Sequence, residues 1–150
     1  MSNRVFAAYG VGVNRAEMAK HCPTAKLIGT TELKNYRIAF RGSRAGALVT
    51  IEKAKAGIVP ALLWEISPQD EAALDRWIGV PELYRKATIK VRRDGALVET
   101  LIYILIDGKP QNKPSAFYYS TLLEGYRAAG FDADILKAAV QEGDADASRA

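Results

Sequence analysis

Apolar and polar positions change their period along the chain, and each change marks an element. Arg4–Tyr9 is a strand-like apolar run that ends at two glycines, Gly10 and Gly12. From Asn14 to His21 the spacing predicts a short helix, with Asn14 as N-cap and Pro23 as its stop. Leu33–Phe40 alternates as a strand does. Ala47–Glu52 and Gly57–Ile66 read as two more strands, linked by the lysine-bearing "EKAKAG". Pro60 lacks a ladder donor, so it predicts an edge position or a bulge.

The segment "SPQDEAALDRWIG" carries the full signature of a helix. Ser67 is the N-cap, Pro68 takes the first helical position and Asp70 completes a capping box. Ala73, Leu74 and Trp77 form the buried side, and Gly79 ends the helix. After the turn "VPELYRK", Tyr84–Arg92 reads as a strand. Asp94-Gly95 is a two-residue hairpin turn, and the chain returns from about Leu97 to Ile106. A proline-bearing loop leads to a helix over Ser115–Ala129, stopped by Gly130, and a last helix covers Asp132–Gln141. Strands dominate the middle and helices the ends. The expected class is therefore α+β, with a sheet that curls or closes under flanking helices, and not a doubly wound sheet. Residues 1–142 form the expected single domain, and 143–150 a disordered tail.

Composition narrows this picture only slightly. With 150 residues, 49% of them hydrophobic, the chain can bury one full core. No run is long enough to span a bilayer. The opening "MSNRVFAAYG" lacks a signal-peptide layout, so cytoplasmic residence is the expectation. One cysteine and one histidine leave no metal cluster, and no cofactor is expected. The net charge of +4 comes with Arg41, Arg44, Lys53, Lys55, Arg92 and Arg93 near strand ends. No nucleic-acid motif or interleaved aromatics accompany them. They read as solvated surface that at most steers a ligand, and neither nucleic acid nor membrane is an expected partner.

The glycine loop is the first chemical candidate. Gly10 and Gly12 have dinucleotide-fingerprint spacing, but Arg15 holds the third glycine position and no βαβ unit follows. A narrower property survives: such a loop can turn backbone N–H groups toward an anion or carboxylate. The plain alternative is a tight strand-to-helix turn. Cys22 beside His21 reads as a small buried hydrophobe, since neighbouring helix positions diverge. Among the tyrosines, Tyr84, Tyr103, Tyr118, Tyr119 and Tyr126 supply packing, with one or two free to line a polar pocket.

Taken together, the motifs resemble the γ-glutamylcyclotransferase-like superfamily, also called the AIG2-like family, from about Val5 to Gln141. "AYGVGVNRAEMAKHCP" is similar to the family's opening strand and "YGSN" loop. "LDRWIGVPELYRK" is similar to its "LDxxEGxxxxY" segment, and "YYSTLLEGYRAAGFD" to a C-terminal helix of small bacterial members. The resemblance implies a small mixed β-barrel with surrounding helices and a cavity at one side. It further implies that the loop donates backbone N–H groups to the substrate. The glutamate before the glycine of "EG" is then the general acid/base that cyclises a γ-glutamyl group to 5-oxoproline. A carboxylate in a partly dry cavity can both accept the attacking amine's proton and return one to the leaving nitrogen.

The sequence departs from that pattern in both motifs. Ile78 stands where the glutamate belongs, and Val11 and Gly12 replace the Ser and Asn of the loop. The expected ligand-binding residues are Tyr9, Gly10, Val11, Gly12, Val13, Ile78, Tyr84 and Tyr119. Glu82 is the first substitute carboxylate, by nearness in sequence, with Glu65 and Glu124 behind it. Three functions follow. One is a pseudoenzyme that binds or sequesters a small polar or anionic ligand in the old cavity. The second is an active cyclotransferase with a relocated carboxylate. The third is an interaction module whose cavity Val11, Val13 and Ile78 have filled. Oligomeric state is left open.

Overall fold

The N-terminal apolar run becomes β1 (Arg4–Ala8), the middle strand of a five-stranded mixed sheet. The computed structural model describes residues 3–149, with side chains as far as 142. After β1 comes a single 3-10 turn (Val11–Val13), then α1 (Arg15–His21), β2 (Lys26–Arg41) and β3 (Leu48–Ile66). Next are α2 (Pro68–Ile78), β4 (Tyr84–Arg93), β5 (Ala96–Leu105), α3 (Ala116–Ala129) and α4 (Asp134–Arg149). The sheet order is β2-β3-β1-β5-β4. β1 runs antiparallel to β3, with Arg4 opposite Ile66, and parallel to β5, with Phe6 opposite Leu101. Its Phe6, Ala7 and Ala8 are buried, as a central strand covered on both faces requires.

The main departure from the sequence reading is the length of β2 and β3. β2 begins at Lys26, not Leu33, and the two strands expected on either side of "EKAKAG" are one. They form a long antiparallel ribbon from Lys26 opposite Glu65 to Arg41 opposite Leu48. Its register shifts between Leu27 and Gly29 and between Lys34 and Tyr36. At the second irregularity, Asn35 and Ala56 both take positive φ, and Asn35 Oδ1 accepts the Ala56 N–H at 3.2 Å. An irregularity of this kind bends the ribbon and increases its twist. Pro60 pairs opposite Glu32, on a stretch of β3 beyond the reach of β1, whose partners are Leu62–Ile66.

The curl does not make a closed barrel. β2 and β4 are the two edges of the sheet, and they meet through a side chain: Thr31 Oγ1 donates to the Arg92 carbonyl at 3.0 Å. A barrel needs a backbone ladder at that seam.

Local signals set the helix ends. Asp70 N–H donates to Ser67 Oγ at 3.1 Å, and Ser67 N–H donates to Asp70 Oδ2 at 3.0 Å, which is the expected capping box. Gly79 and Gly130 close α2 and α3 in the left-handed region. Asp94 and Gly95 both take positive φ, as the two-residue hairpin turn requires. Helix α4 continues to Arg149, past the expected end at Gln141; the side chains of the predicted tail, 143–150, lie outside the described residues. Among the described residues, no helix is long and apolar enough to cross a membrane.

Candidate functional site

A cavity of about 240 Å³ opens where the end of β1, the 3-10 turn, the C-terminus of α2 and the start of α3 converge. Six of the expected residues line it: Tyr9, Gly10, Val11, Gly12, Ile78 and Tyr84. The glycine loop is first a packing device. A Cβ on Gly10 would lie 2.7 Å from Val49 Cγ1, and one on Gly12 would lie 2.9 Å from both Ala8 Cβ and a ring carbon of Phe6. Both distances are too short, so only glycine lets this turn settle on the sheet. The turn's own groups are partly engaged. Val13 N–H donates to the Gly10 carbonyl and Asn14 N–H to the Val11 carbonyl, while the Gly12 carbonyl accepts the Trp64 indole N–H at 3.0 Å.

Two expected residues fall elsewhere. Val13 is completely buried in the core and does not line this cavity. Tyr119 packs half-buried on α3, and its neighbour Tyr118 lines the cavity in its place, together with Thr121 one turn on. Adjacent helix positions point about 100° apart, so a one-residue error changes the face. The substitute carboxylates are also displaced from the site. Glu82 is exposed and absent from the wall. The turn after α2 is held by Leu83 and Tyr84 N–H groups, both donating to the Gly79 carbonyl, and Leu83 and Tyr84 face the cavity instead. Glu65 alternates with the buried Trp64 and Ile66 and so lies on the other face of β3. Glu124 is exposed on α3.

The tyrosine hydroxyls form a buried polar lattice behind the wall. Tyr9 donates to the Tyr103 carbonyl, Tyr84 to the Val49 carbonyl and Tyr126 to the Tyr9 carbonyl, the last at 2.9 Å. Tyr118 accepts the Val49 N–H at 3.1 Å. Tyr103 donates to Asp75 Oδ1 at 2.7 Å, which ties β5 to α2 one turn before Ile78. Burial pushes the phenols of Tyr9, Tyr84, Tyr103, Tyr118 and Tyr126 up from their ordinary value, so they stay protonated near neutrality. Four of them already spend their one proton, on a carbonyl or on Asp75, and none supplies a base.

One functional candidate was missed in the sequence. Glu17 lines the cavity, and it is the one charged side chain of the wall among the described residues. It sits in the first turn of α1, three residues after the N-cap, and its N–H donates to Asn14 Oδ1 at 3.1 Å. In a capping box its carboxylate would reach back to the Asn14 N–H. That N–H is spent on Val11, because the 3-10 turn runs straight into the helix. The Glu17 carboxylate therefore does not cap the helix; its Oε2 lies 3.1 Å from Lys20 Nζ, and the residue lines the cavity. The signal, an Asn-x-x-Glu pair directly after the glycine loop, was readable; its orientation was not.

Cys22 behaves as expected of a buried hydrophobe. It is 2% exposed, its Sγ donates to the Asp70 carbonyl at 3.5 Å, and burial pushes its thiol up to about 11. His21 is exposed and stacks on Trp77 at 4.1 Å.

Comparison with known proteins bears on this arrangement. The AIG2-like family model matches residues 59–138. No curated protein matches the chain. Among solved structures, an uncharacterised protein from Homo sapiens is similar with a TM-score of 0.79 at 18% identity, over 93% of this chain and 87% of that one. A gamma-glutamyl cyclotransferase is similar with a TM-score of 0.76 at 17% identity, over 92% of this chain and 86% of that one. An AIG2-like protein from Mus musculus reaches 0.60 at 17% identity, over 73% and 82%. At such identities the likeness establishes a shared fold.

Proposed function

Because the chain belongs to the AIG2-like family, we propose that it keeps the family's cavity as a binding site for a small organic molecule and does not form 5-oxoproline by the family route. The observation that carries this reading is an open cavity with Ile78 on its wall. The family pattern gives that position to a glutamate, and an isoleucine can neither take nor return a proton. The glycine loop stays at the cavity, so a ligand can still meet backbone groups there.

The open volume argues against the filled-cavity reading. Val13 has left the site for the core, and Val11 and Ile78 form wall without closing it. An active enzyme with a relocated carboxylate is the second reading. Exposure of Glu82 takes away its first candidate, and Glu17 is the carboxylate that favours it now.

A turnover assay separates the two. The purified protein is incubated with γ-glutamyl amino acids, γ-glutamyl amines and glutathione, and 5-oxoproline is measured by mass spectrometry. The expected result is no product above a heat-inactivated control, while an active cyclotransferase run in parallel gives product. Product from the wild type would overturn the proposal, and its loss in Glu17→Gln would move the chemistry to that carboxylate.

A further inference from the structure

The composition of the cavity wall specifies a ligand class, given the reading of the cavity as a binding site. Its side chains are mostly aromatic or aliphatic, with Trp77, Phe117 and Tyr118 among the aromatics. No lysine or arginine belongs to the wall among the described residues, although the chain as a whole carries a net charge of +4. The basic surplus therefore lies outside the site, and Glu17 supplies its one formal charge. Glu17 Oε2 is shielded from solvent and accepts no hydrogen bond. Lys20 Nζ stands 3.1 Å from that oxygen without hydrogen-bond geometry, on a side chain that is 72% exposed. A helix ion pair three residues apart contributes on the order of 0.2–0.5 kcal/mol, and here its ammonium end stays in water. A second ammonium arriving from the cavity can share or displace such a partner.

We propose that Glu17 is the charge-recognition residue of this cavity, and that its ligand is a small amine, protonated when bound, with an apolar or aromatic body. The ammonium pairs with the Glu17 carboxylate, and the body fills the aromatic wall. Aromatic faces are themselves favourable neighbours for a cation. Asn14 caps the helix of Glu17 and holds that helix to α3 through the Thr121 carbonyl at 2.9 Å, so the backbone that carries Glu17 is fixed beside the cavity. A fixed backbone lowers the ordering cost of binding, although the side chain itself must still settle on the ligand. The electrostatics thus point to a cation where the glycine loop alone had suggested an anion.

Three probes of the same shape test this: 2-phenylethylamine, 2-phenylethanol and 3-phenylpropanoate, titrated calorimetrically at pH 7 and low salt. The amine is expected to bind roughly tenfold or more tighter than either of the others, as a charge-assisted hydrogen bond requires. Glu17→Gln should bring the amine-to-alcohol ratio close to unity, and Lys20→Ala should tighten the amine. Equal or tighter binding of the carboxylate, or an unchanged ratio in Glu17→Gln, would overturn the proposal while leaving the cavity a binding site. Binding of none of the three would overturn both the proposal and the binding-site reading. Formation of 5-oxoproline by the wild type would overturn the non-catalytic reading of the cavity without bearing on the affinity ratio.

Discussion

Asn14 donates its side-chain amide to the carbonyl of Thr121, 107 residues away in sequence and 2.9 Å away in space. Its Oδ1 simultaneously accepts the Glu17 N–H and caps α1. One 4%-exposed side chain thus ties the glycine loop, α1 and α3 into a single corner of the cavity.

That double role can be divided by substitution. Asn14→Ala loses both bonds and is expected to cost about 1–3 kcal/mol, the sum of a cap and a buried hydrogen bond. Asn14→Ser keeps a capping oxygen and should cost about 0.5–1.5 kcal/mol. Urea midpoints of the two variants check the order. Equal losses would mean that the bond to Thr121 contributes nothing.

The same corner depends on Gly125. A Cβ there would lie 2.7 Å from the Asn14 nitrogen and 2.9 Å from Asn14 Cα and the Val13 carbonyl carbon, all backbone atoms that no rotamer change can move. In an isolated helix, alanine gains about 1 kcal/mol over glycine. Here the overpacking, typically about 1–3 kcal/mol and larger against backbone, should reverse the sign. Gly125→Ala is expected to lower the thermal midpoint; a rise would show that α3 does not rest on this loop.

Glu52 predicts a pH dependence. Arg41 binds it through Nε and Nη2, the latter at 3.1 Å, and Arg37 adds a bond at 3.2 Å. The hydrogen bond from Arg41 holds its carboxyl below the usual range, against an opposing effect of burial. A depressed folded value means stability that is full above the unfolded value, about 4.3, and lost as pH falls through the folded one. The stability difference between wild type and Glu52→Gln should therefore be constant from pH 7 to about 5 and shrink below about 4. Denaturation midpoints at pH 7, 5 and 3 measure it. A difference independent of pH would remove the carboxylate from the account.

Ile78→Glu tests the wall itself. The new carboxylate would stand half-buried among apolar side chains, which raises its pKa. The folded state then resists ionisation, so the penalty is present above the raised value and fades as pH falls through it. The variant should lose about 1–3 kcal/mol at pH 7 and less at pH 5. On the proposed reading, it also puts a proton carrier at the position where the motif resemblance places the family's glutamate. Release of 5-oxoproline from γ-glutamyl donors should rise above the wild-type background; no rise would mean that the wall no longer orients the donor.

What the sequence determined by itself is local. The capping box at Ser67 and Asp70, the glycine stops at Gly79 and Gly130 and the Asp94-Gly95 hairpin all stand where they were read. Each depends on groups within a few residues, so their order along the chain is enough. The family resemblance was legible for the same reason, since the segments that carry it are short and contiguous. Tertiary structure decided the rest. Asn35 and Ala56 take positive φ and let β2 and β3 continue as one ribbon, because each has a partner across the strands. The sheet stays open because β2 and β4 share a side-chain bond and not a ladder. Tyr118 replaces Tyr119, and Glu17 replaces Glu82, because a cavity is the meeting of distant segments. Whether a side chain faces it depends on the rotation of each helix and turn against the others, and packing sets that rotation.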